Sequence, residues 1–84
     1  MTLSQSILHV LDTCPRPVAV DIVVTFLPAF YEGPDLTAAY SPEAKVRLVT
    51  AQLETLAAVD EVVAIADHHV GRLWKITPNG KAAL

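Results

Sequence analysis

Asp67, His68 and His69 stand side by side in the last quarter of the sequence, and they are the one cluster with metal-ligand chemistry. On a continuous strand neighbouring side chains point to opposite faces, so His68 and His69 could not readily chelate one ion; a turn relaxes that objection. A zinc site still needs three or four ligands, and His9 and Cys14 lie far away in the chain. The cluster is therefore read as polar turn residues, with no metal and no cofactor expected. His9 is expected to be an ordinary surface histidine and Cys14 a small apolar residue near the core. There is no glycine-rich phosphate loop and no nucleophile elbow. No catalytic residue is assigned, and enzymatic activity is not expected.

The remaining side chains with binding chemistry are cations. Lys45 and Arg47 flank Leu48, and Arg72 and Lys75 lie further on. Cations of this kind bind phosphate or carboxylate. The whole chain works against long-range attraction to a polyanion, with a net charge of −3 and a pI near 5.4. The acid excess is unevenly placed, however. It falls entirely within residues 1–40, whereas residues 41–84 carry equal numbers of acids and bases.

The elements that must position these groups begin with residues 41–58, SPEAKVRLVTAQLETLAA. Ser41 is a good N-cap, and Pro42 fits the first helical position, where a missing N–H costs nothing. Val46, Val49, Leu53, Leu56 and Ala57 follow at steps of three and four, which is the inner stripe of a helix. Lys45, Arg47, Leu48, Ala51 and Gln52 fall on the opposite side, with Leu48 expected to face solvent. Before this helix, Thr2 and Gln5 have capping-box spacing, and Leu3, Ile7, Val10, Leu11 and Cys14 mark one face of a first helix over about 3–13. Pro15 and Pro17 stop it. Residues 18–25 are β-branched enough for a strand. Val20, Val23, Val24, Leu27, Phe30 and Tyr31 recur at helical spacing, which predicts a second helix over about 19–27 that Pro28 ends or kinks. Residues 32–40 read as a loop ended by aromatic Tyr40. After residue 58 the period changes. Residues 61–66 and 72–77 are short and β-branched around a turn closed by Gly71, which predicts a hairpin of about 62–67 and 72–77. Thr77-Pro78 repeats the cap-then-proline pattern, so a short helical turn through 81–84 is possible, weakened by Gly80.

With 84 residues, 52% hydrophobic and 18% charged, the chain is expected to fold as one α+β domain over 1–84. The single cysteine rules out an internal disulfide and fits a reducing compartment. No signal peptide and no membrane span are read, so a cytoplasmic location is expected.

The order helix, helix, helix, hairpin, together with Ile76-Thr77-Pro78-Asn79-Gly80-Lys81 closing the hairpin, resembles the winged helix-turn-helix family, similar to small bacterial transcriptional regulators of the MarR and PadR types. The resemblance covers most of the chain in topology and about the last third in residues. It implies a fold of three helices followed by a two-stranded β-hairpin wing, with a recognition helix over about 42–57 and a wing over about 62–77. It further implies that Lys45, Arg47, Leu48, Ala51 and Gln52 face the major groove of double-stranded DNA, while His68, His69, Arg72 and Lys75 rest on the flanking backbone. A regulator of this kind is expected to act as a homodimer through the first helix and the aromatics Phe30, Tyr31 and Tyr40. The alternative expectation is a winged-helix adaptor that binds a protein partner and no DNA, since a fold does not fix a function.

Overall fold

Eleven residues near the N-terminus form the spine of the molecule. In a computed structural model that describes residues 1–31 and 41–84, helix α1 (Leu3–Thr13) buries Ser6, Ile7, Leu8, Val10 and Leu11. Its start is the expected capping box: the Gln5 N–H donates to Thr2 Oγ1 at 3.1 Å and the Thr2 N–H donates to Gln5 Oε1 at 3.2 Å. Leu8 was not on the expected apolar face, yet it is only 2% exposed. The helix is covered on more than one side because the later helices, including the C-terminal one, and the second strand of the hairpin all pack around it.

Pro15 and Pro17 follow in a short connection that bends at Pro15 and Arg16. Val18 then makes a two-way bridge: its N–H donates to the Trp74 carbonyl at 3.0 Å, and the Trp74 N–H donates to the Val18 carbonyl at 2.7 Å. Helix α2 (Val20–Phe26) begins two residues later and passes into a 3-10 turn (Leu27–Ala29). Pro28 therefore ends the α-helix rather than kinking it. Val23 and Leu27 are fully buried, as the spacing predicts. The expected loop over 32–40, including Tyr40, lies outside the described residues.

Helix α3 (Pro42–Ala58) starts as anticipated, with the Ala44 N–H donating to Ser41 Oγ at 3.1 Å and Pro42 at the first helical position. Val49, Leu53 and Leu56 are buried. Val46 is a correction to the inner stripe: it is half-exposed, one turn beyond where the core ends. The helix closes with Asp60 at φ 62°, the Asp60 N–H donating to Ala57 at 3.1 Å and the Glu61 N–H to Leu56 at 2.9 Å. These two bonds satisfy the last carbonyls in the Schellman pattern, with aspartate where glycine is usual.

Strands β1 (Val62–Asp67) and β2 (Gly71–Ile76) pair antiparallel, with Val62 opposite Ile76 and Ala64 opposite Trp74. The second strand thus starts and ends one residue earlier than expected. Asp67 Oδ1 accepts from the N–H groups of His69 at 2.8 Å and Val70 at 3.1 Å, and Gly71 supplies φ +86°. These bonds organise the turn. Trp74 and Ile76 point inward to the core.

The expectation of three helices is corrected, because the chain has a fourth, α4 (Pro78–Ala82). Thr77 Oγ1 accepts from the Gly80 N–H at 3.1 Å and Pro78 occupies the first position. The helix therefore starts at the cap rather than at residue 81. Gly80 lies inside it despite glycine's poor helix propensity. A Cβ there would lie 2.1 Å from the Glu61 carbonyl oxygen, so the glycine is what lets α4 close on the α3–β1 junction. The fold is α+β, built of helices and a two-stranded antiparallel hairpin around one apolar core.

Candidate functional site

The nine side chains expected at a nucleic-acid surface do not share one environment. On α3, Lys45 and Leu48 are half-buried, whereas Arg47 and Ala51 are exposed. Leu48 was expected to face solvent; its partial burial makes it part of the packing as well as of the surface. Gln52 turns toward the protein, and its Nε2 donates a hydrogen bond to Ser4 Oγ on α1. The helical period places Gln52 beside Leu48, but it cannot reveal that α1 passes within reach of that side.

Glu43 lies in the first turn of α3. A carboxylate there complements the positive end of the helix dipole, which accounts for an acid next to Lys45 and Arg47. Arg47, Glu43, Pro42 and Val46 line a shallow depression of about 390 Å³.

The hairpin cations part company. Arg72 sits on the inward-facing side of β2 with Trp74, and its guanidinium lies 4.9 Å from the Trp74 ring centroid. Its Nη2 donates to Glu54 Oε1 at 3.0 Å, and the two side chains are 49% and 57% exposed. An exposed pair of this kind contributes about 0–1 kcal/mol, so its importance is positional: it ties the hairpin to α3. Lys75 falls on the other face of the strand and lines a separate cleft with residues of α1 and α4. His68 and His69 lie at the hairpin tip, exposed, with ring centroids 4.2 Å apart. Among the described residues no three His, Cys, Asp or Glu side chains converge on one point.

Other residues stand where the spacing did not put them. His9 is half-buried, with its ring stacked 5.8 Å from that of Phe30. It is therefore a packing residue rather than an ordinary surface histidine. Cys14, by contrast, is partly buried and packs against the core, as expected of a small apolar residue there. The first helix was expected to lend its apolar face to a homodimer. Its Ile7, Leu8, Val10 and Leu11 are 0–2% exposed and already spent on the core, and Phe30 and Tyr31 pack against the same core. Among the exposed apolar groups are Ile22 and Phe26, at 38% and 55% exposure and one turn apart on α2. Their signal was present as the positions left over once Val23 and Leu27 are assigned inward.

No helix among the described residues is long and apolar enough to cross a membrane. Compared with family models, with curated proteins and with solved structures, the chain finds no match.

Proposed function

We propose that this chain is a small winged helix-turn-helix regulator that binds double-stranded DNA through the outward side of α3, with the hairpin as its wing. The observation that carries the reading is the Arg72–Glu54 pair. It joins an exposed position on α3 to the hairpin, so helix and wing form one continuous surface of the kind that fits a groove and its flanking backbone. On that surface Arg47 and Ala51 are exposed, Lys45 and Leu48 partly so, and the histidines occupy the wing tip. Lysine and arginine there supply phosphate contacts, and an apolar Leu48 suits a thymine methyl.

The decisive experiment is a fluorescence-anisotropy titration of random duplex against the chain over a range of salt. Binding that weakens with salt is expected, and Lys45→Ala with Arg47→Ala should lower the salt slope by about 2. No binding at about 100 µM in low salt overturns the proposal, because non-specific DNA binding has Kd of about 10⁻⁴–10⁻⁶ M.

A second reading, an adaptor that binds protein, draws on a different observation: Ile22 and Phe26 form an exposed apolar pair on α2. In that case Phe26→Ala should remove activity in cells while the Lys45→Ala, Arg47→Ala double variant stays active, since buried aromatic anchors dominate protein interfaces.

A further inference from the structure

A cleft of about 430 Å³ opens where the end of α1, the turn after it, the last residues of β2 and the start of α4 meet. That size falls within the ~300–1,000 Å³ usual for small-molecule sites. Pro15 and Pro78, both exposed, and the partly buried Cys14 give it an apolar lining, with the edges of the core residues Leu11 and Ile76 at its floor. Its charges are divided between walls: Lys75 comes from β2 and Lys81 from α4, and Asp12 comes from the last turn of α1. None of the three has an ion-pair partner among the described residues. Asp12 also stands at the negative end of the α1 dipole, and no basic residue occupies that turn. The Asp12 carboxylate thus lacks a cation, and the two lysine ammonium groups lack an anion.

A ligand that answers both kinds of charge carries an ammonium and a carboxylate a few bonds apart, with an apolar body for Pro15 and Pro78. We propose that this cleft binds a free α-amino acid with an apolar side chain, its ammonium at Asp12 and its carboxylate between Lys75 and Lys81. The proposal rests on the cleft and not on the DNA reading, and it stands or falls separately. A simple anion would meet Asp12 as a like charge, and a simple amine would meet two lysines, so each half-ligand is disfavoured by the wall that suits the other half.

The test uses the whole chain, labelled with ¹⁵N, titrated with L-leucine, L-valine and L-phenylalanine. The comparators are 4-methylpentanoate, which lacks the ammonium, and 3-methylbutylamine, which lacks the carboxylate. At least one amino acid should give saturable shifts at amides of residues 11–14 and 75–81, and each comparator should bind about tenfold more weakly or worse. Asp12→Asn should abolish the preference over the acid, and Lys75→Met with Lys81→Met the preference over the amine. All three side chains are exposed, and a thermal melt of each variant checks that it folds. Cys14 also lines the cleft, so its alkylation by iodoacetamide should slow when the preferred amino acid is present. Absence of saturable shifts with all three amino acids up to about 20 mM, shifts confined to other residues, or equal binding of 4-methylpentanoate would overturn the proposal.

Discussion

At the scale of single residues, chemistry and geometry diverge most at Arg72. The winged-helix resemblance makes it an expected phosphate contact, but its guanidinium already has a carboxylate and an aromatic face. If DNA is the ligand, Glu54 competes with phosphate for Arg72. Glu54→Gln should then strengthen binding to every duplex and raise the salt slope by about 1, measured by the same anisotropy titration. An unchanged or weaker affinity would show that Arg72 serves only to hold the hairpin. Gly80 is the other residue whose meaning came from space rather than type. Gly80→Ala forces a Cβ toward the Glu61 carbonyl and the Ile76 side chain, where the backbone cannot easily yield. The expected cost is about 1–3 kcal/mol in a urea melt, although alanine is the better helix former. A neutral or stabilising result would mean that α4 is free to shift.

At the scale of elements, α1, α3 and α4 were legible because each carries its own start signal, whereas α2, whose N-cap Ala19 makes no side-chain bond, was legible from its apolar spacing alone. The capping box at Thr2, the Ser41-Pro42 pair and the Thr77-Pro78 pair all function as their residue types require. The apolar stripe of α3 was legible over most of its length. Leu53 is fully buried, so Leu53→Ala should cost about 2–5 kcal/mol through lost burial and a residual cavity. Val46 shares the helical phase but not the burial, so Val46→Ala should cost about 1 kcal/mol or less. Equal losses for the two variants in parallel denaturant melts would contradict the placement of Val46 at the rim. Periodicity assigns a direction around the helix axis. It cannot say how far along that axis the neighbouring helices reach, which is why the stripe was drawn one turn too long.

At the scale of the whole molecule, the Val18–Trp74 bridge fastens the segment between the first two helices to the hairpin, across more than half the sequence. Val18→Pro removes the N–H that donates to Trp74 and leaves that carbonyl unpaired. The expected loss is about 1–3 kcal/mol, whereas Val18→Ala, which keeps both backbone bonds, should lose less. The single tryptophan gives the readout, since Trp74 is buried and its fluorescence will report unfolding directly. A proline variant as stable as the alanine variant would remove the bridge from the stability of the fold. The sequence by itself determined what is local: helix starts, the proline stops, the hairpin turn and most inward faces, because caps, steric restraint and side-chain period act within a few residues. It also located the candidate cations. The tertiary structure alone decided which of those cations are free, since that depends on what another element brings alongside. Glu54 reaches Arg72, Ser4 holds Gln52, Lys75 stays exposed at the edge of a cleft shared with α1 and α4, and Leu8 is buried because the core surrounds α1. Each of these meetings joins residues far apart in the chain, and no spacing within one helix or strand encodes them.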